Sequence, residues 1–317
     1  MIDEINIAAQ LLIEGKVVAI PTETVYGLAA NAYDENAVKQ IFEIKQRPFY
    51  NPLIVHIKSI DYLEQIAKDI PAKALELAKH FWPGALTLVL PKKDVIPNIV
   101  TADKETVAIR VPSHPITLQL LNHLDFPLAA PSANPFGYIS PTKASHVQNQ
   151  LGSKIPYILD GGSCEKGIES TIIGFENNEP VLYRVGAISK EEIEKYIGKI
   201  EIKNNATSKP EAPGMLKNHY SPKTKLIVSN TITASINEHK NNNVGFLLFS
   251  NSTIQLKEKF IQLSENNNLE EAAQNLYAAM HELDAMGFDF IIAESFPNTG
   301  LGVSINDRLY RAQKTDF

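Results

Sequence analysis

The residues best suited to chemistry lie in one short run near the start of the chain. Residues 21–28 read Pro-Thr-Glu-Thr-Val-Tyr-Gly-Leu and directly follow an apolar segment, residues 17–20. An apolar segment that stops at a proline predicts a buried strand, and ligands of open α/β sheets bind beyond the carboxyl ends of strands. Because the cations Lys45 and Arg47 follow the two threonines, the run predicts a site for a small polar or anionic ligand.

Three arginines come from separate segments of the same region. Arg47 follows a helical pattern, Arg110 lies in the apolar run 107–111, and Arg184 lies in the run 181–185. A guanidinium in an apolar strand is costly unless it is paired. The three residues therefore form either separate structural ion pairs or a convergent site for phosphate or carboxylate, to which the planar arginine fork is suited.

Familiar catalytic patterns are not supported. Residues 162–167 carry two glycines but lack the Lys and Ser/Thr of a phosphate-binding loop. Cys164 has no assignable histidine partner, as a nucleophile would need. His56 alternates with apolar residues, which fits a core histidine as well as a ligand-binding one. No histidine or cysteine spacing predicts a metal site.

The composition excludes several classes of protein. The chain has 317 residues, 44% of them apolar and 21% charged, and its formal net charge is -6. This charge disfavours non-specific nucleic-acid binding. A single cysteine excludes an internal disulfide. The acidic first residues lack the basic start of a signal peptide, and no apolar stretch is long enough to span a bilayer. We therefore predict a cytoplasmic protein with no membrane contact.

The elements that must position these residues fall into three parts. Residues 1–200 are predicted to form a twisted mixed α/β sheet, 201–223 a linker, and 224–317 a small, doubly wound, Rossmann-like α/β domain. Strands are predicted at 17–20, 53–57, 86–90, 107–111, 128–130, 157–160, 170–174, 181–185, 225–229, 245–249 and 290–294. Helices are predicted at 5–14, 35–45, 60–66 and 72–80, and over the periodic apolar residues that follow Asn268.

The ordered motifs resemble the YrdC-type threonylcarbamoyl-AMP synthases in their long, two-domain form. The resemblance covers nearly the whole chain and is carried by residues 21–28, the Lys-x-Arg-Pro motif at 45–48, and the segments 51–56, 82–84, 108–112, 131–134, 140–142 and 170–172. Residues 212–222, with the α/β segment that follows, are similar to the long form. The resemblance implies an N-terminal YrdC-like sheet with a large concave cleft.

The same resemblance implies a reaction and its partners. L-Threonine, bicarbonate or CO2, and ATP would give L-threonylcarbamoyl-AMP and pyrophosphate, with Mg²⁺ entering on the ATP. Transferase machinery would then carry the threonylcarbamoyl group to the adenosine beside the anticodon of tRNA, so any contact of this chain with tRNA is indirect. No protein nucleophile is expected, because the amine of threonine is itself the nucleophile.

The resemblance also implies roles for individual residues. Residues expected to hold L-threonine are Thr24, His56, Arg110, Ala130, Ser170 and Thr171. Residues expected to hold ATP are Lys45, Arg47, Asn51, Thr106, Ser132, Asn134, Ser140, Arg184 and Tyr220. Within the linker, either His219 or Tyr220 is expected to fold over the site as a lid.

Two other functions fit the fold. One is an RNA-binding or ribosome-maturation module that uses the concave face directly, although the net charge and the lid-like linker speak against it. The other is a carbamoyltransferase, although the chain lacks the zinc-finger cysteines of such multidomain proteins.

Overall fold

The computed structural model describes residues 2–203, 219–249 and 259–313. Within these ranges the first part of the chain forms a nine-stranded sheet. Its strands are β1 (Val18–Ile20), β2 (Gly27–Asn31), β3 (Ile54–His56), β4 (Leu86–Pro91), β5 (Thr106–Arg110), β6 (Leu128–Ala129), β7 (Thr171–Glu176), β8 (Glu179–Arg184) and β9 (Glu201–Ile202).

The order of the strands is β1-β2-β6-β3-β5-β4-β7-β8-β9. Three neighbouring pairs are parallel, β3 with β5, β4 with β7, and β8 with β9. The other pairs are antiparallel. The prediction of a mixed sheet is therefore confirmed.

The helices of this part pack against the sheet through apolar faces. They are α1 (Ile2–Ile13), α2 (Glu35–Lys45), α3 (Leu63–Ile66), α4 (Ala72–Phe81), α5 (Asn98–Thr101), α6 (Pro115–Asn122), α7 (Ala144–Leu151) and α8 (Lys190–Ile197). Helix α2 matters most for the site. It begins where the Asp34 side chain accepts hydrogen bonds from two backbone amides and ends at Gln46, whose φ of 54° is left-handed.

One predicted strand is absent, and the strands at 27–31, 201–202 and 260–262 were not predicted. Residues 27–31 form β2, although glycine and alanine are depleted in strands, because β1 and β6 flank this segment on both sides. Residues 157–160 do not form a strand of the sheet. They contribute only an isolated bridge, between Ile158 and Ala19.

The second part of the chain forms a four-stranded parallel sheet. Its strands are β10 (Lys225–Ser229), β11 (Val244–Leu248), β12 (Phe260–Gln262) and β13 (Phe290–Glu294), in the order β10-β13-β11-β12. Its helices are α9 (Ile232–Glu238), α10 (Leu269–Asp284) and α11 (Leu301–Ala312). The prediction of a small parallel α/β domain is confirmed. The side chain of Asn268 caps α10, as its sequence position predicts.

The two parts share one hydrophobic core. A single cluster of buried apolar residues includes Val55 and Leu88 of the first sheet together with Leu247 and Leu276 of the second part. Residues 204–218 of the predicted linker lie outside the described residues, and the described chain resumes at His219. Within the described ranges, no helix is long and apolar enough to cross a membrane.

A glycine permits a close approach between the two parts. Gly167 has a φ of 70°, and a Cβ at this position would lie 2.4 Å from the backbone Cα and carbonyl oxygen of Gln274 in α10. Only glycine combines the left-handed conformation with so short a distance. Gly162, five residues earlier, has a φ of 80° but faces open space.

We expect Gly167→Ala to disrupt the docking of α10 on the first sheet. The methyl group would meet backbone, which cannot rotate away, whereas Gly162→Ala would carry only the backbone strain of about 1–2 kcal/mol. Thermal unfolding of both variants tests this prediction. The melting temperature of Gly167→Ala should fall clearly below that of Gly162→Ala, and equal melting temperatures would contradict the proposed contact.

Candidate functional site

One polar cavity lies where the ends of several strands meet. Its walls come from the turn before β2, from the segment after α2, from β3 and β5, from the segment after β6, from the approach to β7, from the end of β8, and from the end of the linker. The lining residues are Thr22, Thr24, Val25, Gly27, Arg47, Ile54, His56, Arg110, Ala130, Pro131, Ser132, Glu169, Ser170, Arg184, His219 and Tyr220. The three arginines from separate segments therefore converge on one cavity.

The hydroxyl-bearing turn is organised around Arg110, at the end of β5. The Arg110 Nη1 atom donates to the hydroxyl of Thr24 at 2.8 Å, and its Nε donates to the carbonyl of Gly84 at 3.1 Å. The hydroxyl of Thr22 donates to the carbonyl of Val25 at 2.7 Å and lies 2.8 Å from that of Thr24. The proton of Thr24 therefore points toward Thr22, which leaves Thr24 an acceptor toward the cavity.

Arg110 is already paired with a carboxylate of the protein. Its Nη2 atom lies 2.7 Å from Oε1 of Glu23, without the alignment of a hydrogen bond, and both side chains are buried. Burial raises the pKa of Glu23, but the Arg110 guanidinium lowers it further, so the net pKa lies below the usual value. Glu23 is thus held ionised as the partner of Arg110.

His56 is held neutral at the end of β3. Burial, and then the positive charge of Arg110, lower the pKa of His56 to about 3. The parallel pairing of β3 with β5 sets His56 beside Arg110. A neutral imidazole can donate one hydrogen bond and accept another, which suits a ligand that carries both kinds of group.

The two cations at the end of α2, Lys45 within the helix and Arg47 just after it, are held by backbone carbonyls. Lys45 Nζ donates to the carbonyls of Ser132, at 2.5 Å, and of Asn134. Arg47 donates to the carbonyls of Asn51, at 3.1 Å, and of Pro52, at 2.7 Å. Burial, and then the charge of Arg184, lower the pKa of Arg47 to about 9. Carbonyls leave both charges uncompensated, so an anion would be stabilised here.

The wall near β7 and β8 depends on Arg184. Its Nε and Nη2 atoms donate to the carbonyl of Ser170 at 3.0 and 2.8 Å, and Nη2 also donates to the Ser170 hydroxyl at 3.0 Å. Thr171 does not line the cavity. Its hydroxyl donates to the carbonyl of Ile188 at 2.6 Å and accepts from the Ile188 amide at 3.0 Å. The predicted contact of Thr171 with threonine therefore stays a prediction.

Four other predicted residues lie behind or beside the lining. Asn134 and Ser140 are buried, and Ser140 donates to Glu169 at 2.6 Å. Asn51 is fully buried beside Arg47. Thr106 is the first residue of β5. Because Ile54 of β3 pairs with Ala108 of β5, Thr106 lies beside the residues that directly precede β3, which include Asn51. For these residues the nucleotide role stays a prediction.

Tyr220 and His219 close the cavity from the linker side. Both are buried, and Tyr220 has a left-handed φ of 65°, which is uncommon for a residue with a side chain. The His219 amide donates to the carbonyl of Arg311 at 3.1 Å, and the Ser221 amide donates to that of Gly137 at 2.8 Å. The end of the linker is thus attached to both parts of the chain.

The sequence analysis assigned no role to three residues that build this wall. Glu169 lines the cavity, and Tyr277 and Arg308 of the second domain bind it from behind. The sequence contains one signal that could have identified Arg308 as a functional residue. This arginine occupies a core-facing position among Ile305, Leu309 and Ala312 of α11, where an unpaired arginine would be costly.

Covalent catalysis by a thiol is not supported. Cys164 is buried, and burial raises the pKa of its thiol to about 12. Since the thiolate is the reactive form, this side chain is inert near neutral pH. Across the described ranges, no cluster of three histidine, cysteine or acidic side chains could hold a metal ion.

Comparison with known proteins gives matches over both parts of the chain. A Sua5–YciO–YrdC family model described as "Telomere recombination" matches residues 10–186. A second model, described as "Threonylcarbamoyl-AMP synthase, C-terminal domain", matches residues 188–313. The two models together cover both sheets.

Full-length relatives agree with these matches. A threonylcarbamoyl-AMP synthase of Pyrococcus abyssi is 44% identical over 98% of this chain and 94% of its own length. One of Bacillus subtilis is 46% identical over 96% of this chain and 91% of its own. The crystal structure of Pyrococcus abyssi Sua5 complexed with L-threonine superposes with a TM-score of 0.91 at 44% identity, covering 98% of this chain and 94% of that one. The chain therefore belongs to the Sua5–YciO–YrdC family, in the two-domain form that carries the threonylcarbamoyl-AMP synthase C-terminal domain.

Proposed function

We propose that this protein synthesises L-threonylcarbamoyl-AMP from L-threonine, bicarbonate or CO2, and ATP, releasing pyrophosphate. The names of the full-length relatives support this assignment over an RNA-binding module of the same fold. The product would pass to threonylcarbamoyl transferase machinery that modifies tRNA in the cytoplasm.

The observation that carries the proposal is a group of buried polar atoms at one cavity. Among the described residues, ten buried side-chain atoms have no hydrogen-bond partner, and two of these, Arg110 Nη2 and Glu23 Oε1, form an ion pair with each other. Six of the other eight lie at or directly behind the cavity wall, and they are Asn51 Nδ2 and Oδ1, His56 Nδ1, Asn134 Oδ1, Tyr220 Oη and His219 Nδ1. An unpaired buried polar group costs about 1–3 kcal/mol, so the site favours a ligand rich in polar groups.

The chemistry requires positioning rather than a protein nucleophile. The amine of threonine attacks CO2 and loses a proton, which gives a carbamate. A carbamate oxygen then attacks the α-phosphorus of ATP, the bond from that phosphorus to the bridging oxygen of the β-phosphate breaks, and pyrophosphate leaves. Catalysis would come from holding the two reactants together and stabilising the charge on the phosphoryl group.

The Arg110 side of the cavity suits the amino acid. The Arg110 guanidinium offers charge-assisted hydrogen bonds to a carboxylate, and the free lone pair of Thr24 can accept from the substrate hydroxyl or amine. His56, Ala130 and Ser170 complete the predicted threonine contacts. Glu23 limits the positive charge of this corner, which fits a singly charged carboxylate better than a triphosphate.

The Arg47 and Arg184 side suits the nucleotide. These two guanidinium groups, with Lys45 behind them, form a cationic wall held by carbonyls. Triphosphate oxygens would supply a countercharge to Lys45 and Arg47 and restore the lowered pKa of Arg47. Ser132 lines the same wall, and Asn51 presents its unpaired amide beside it.

Mg²⁺ would enter with the phosphates of ATP. The two carboxylates near the cavity, Glu23 and Glu169, are each bound by an arginine and are poor candidates for metal ligands. A Mg²⁺ ion commonly keeps several water ligands and binds through substrate phosphates. When bound with ATP beside Lys45, Arg47 and Arg184, the ion would supply further positive charge against the negative charge of the phosphates.

Tyr220 and His219 would act together as the lid over the nucleotide. With both side chains in place the cavity holds about 50 Å³, whereas sites for small molecules hold roughly 300–1,000 Å³. ATP could enter only if these two residues move outward. The strained backbone of Tyr220 is consistent with a residue that changes its conformation.

We expect pyrophosphate release from ATP to require both L-threonine and bicarbonate. The α-phosphate has no acceptor in the cavity unless the carbamate has formed. Pyrophosphate assays with each substrate omitted in turn test this expectation, and mass spectrometry identifies the adenylate. Equal turnover of ATP without threonine would disprove the proposed reaction.

We expect Arg110→Lys to raise the KM for threonine by about tenfold to a hundredfold. Lysine keeps the charge beside Glu23 but loses the fork, and a hydrogen bond to a charged group contributes about 1.5–3 kcal/mol. Steady-state kinetics with both substrates varied measure the effect. Arg184→Lys is the matched control, because it should raise the KM for ATP and not that for threonine. If both variants changed the same KM, the proposed division of the cavity would be refuted.

A further inference from the structure

A buried polar network joins the second domain to the wall of the cavity. Arg308 of α11 is fully buried, and its Nε donates to Oε2 of Glu169 at 2.8 Å, while its Nη2 donates to the carbonyl of Val185 at 2.8 Å. Tyr277 of α10 is also fully buried, and its hydroxyl lies 2.9 and 3.1 Å from the two Glu169 oxygens. Ser140 donates to Oε1 from the first domain.

This network fixes the one carboxylate that lines the cavity among the described residues. Burial raises the pKa of Glu169, but Arg308 and Arg184 lower it more, to a net value of about 2. Both oxygens are occupied by donors, so Glu169 cannot act as a base near neutral pH. Its role is instead to hold what it contacts, the Ser140 hydroxyl, beside the cationic nucleotide wall.

The same two residues of the second domain also hold the lid. The Arg308 guanidinium carbon lies 5.1 Å from the centre of the Tyr220 ring, which is a cation–π contact. The ring of Tyr277 stacks on Tyr220 with a centroid distance of 5.7 Å. Arg308 and Tyr277 thus contact both Glu169 and the residue that closes the cavity.

We propose that Tyr277 and Arg308 are positioning residues for nucleotide binding, which fix Glu169 at the cavity wall and hold Tyr220 in its closed position. The second domain is then part of the machinery of the first domain's site. This inference rests on the proposed synthase function, and it assigns the contribution of the second domain to two side chains.

The charged and titratable groups around Glu169 come from three elements and the linker. They are Arg184 of β8, Tyr277 of α10, Asp307 and Arg308 of α11, and His219 and Tyr220 at the end of the linker. Asp307 lies outside the cavity and binds Arg308 and Arg311, with an Oδ2 to Nη1 distance of 2.5 Å for Arg308. Glu169 is therefore the carboxylate through which Arg308 acts on the cavity.

The main test is Tyr277→Phe in the full chain, which removes one hydroxyl and leaves the ring stacked on Tyr220. We expect the KM for ATP to rise about tenfold or more and kcat to fall, while the KM for threonine stays within about twofold, since Thr24 and Arg110 lie outside the network. Tyr183→Phe is the matched control. It removes a hydroxyl that lies 3.3 Å from the exposed Glu176, outside the cavity, and should leave both KM values unchanged.

A second measurement does not depend on activity. Hydrogen exchange at the amides of His219 and Ser221, which bind carbonyls of Arg311 and Gly137, reports how firmly the closed linker end is held. We expect faster exchange at both amides in Tyr277→Phe than in the native protein. Native exchange together with native kinetics would overturn the proposal.

Arg308 is tested with a pair of variants, because removal of one partner of a buried ion pair can unfold the protein. The double variant Glu169→Gln with Arg308→Met removes both charges, and we expect it to fold but to bind ATP at least tenfold more weakly. Native ATP affinity in the folded double variant would contradict the proposal. If the native protein makes no adenylate, the proposed synthase function is wrong. The hydrogen-exchange experiment would still show whether Tyr277 holds the end of the linker.

Discussion

The site depends on an excess of buried positive charge. Five buried cations surround the cavity, Lys45, Arg47, Arg110, Arg184 and Arg308, and two carboxylates, Glu23 and Glu169, lie among them. Lys45 and Arg47 are held by backbone carbonyls, in a chain whose net charge is -6. Desolvation makes such an arrangement costly, as the lowered pKa values of Lys45 and Arg47 show. A bound polyanion would relieve this cost, which supports the proposed nucleotide site.

The division of labour among the arginines follows from their partners. Arg110 faces Glu23 and Arg308 faces Glu169, so each of these charges is largely balanced within the protein. Arg47 donates to backbone carbonyls, which carry only partial charge. This difference in pairing supports the proposed division of the cavity between a singly charged carboxylate at one end and a triphosphate at the other.

Much of the fold and of the site could be predicted from the sequence, because many of the residues belong to local motifs. The run that contains Thr24, the Lys-x-Arg-Pro motif and the strand that ends at Arg110 each carry their own pattern. The strand at 27–31 was missed because its glycine and alanines form a strand only between two neighbours. Tyr277 and Arg308 were missed because their partner, Glu169, is more than 100 residues away in the chain.

The shared core has a consequence for how the protein moves. Many two-domain enzymes admit substrates by rotating one domain about a hinge, which requires an interface that opens cheaply. Here the apolar cluster runs from Val55 through Leu276, and Gly167 lies against the backbone of α10, so rotation would expose core to water. The proposed lid, the short segment around Tyr220, would then open without rotation of the domains. The shared core also predicts that the two domains unfold in one cooperative transition.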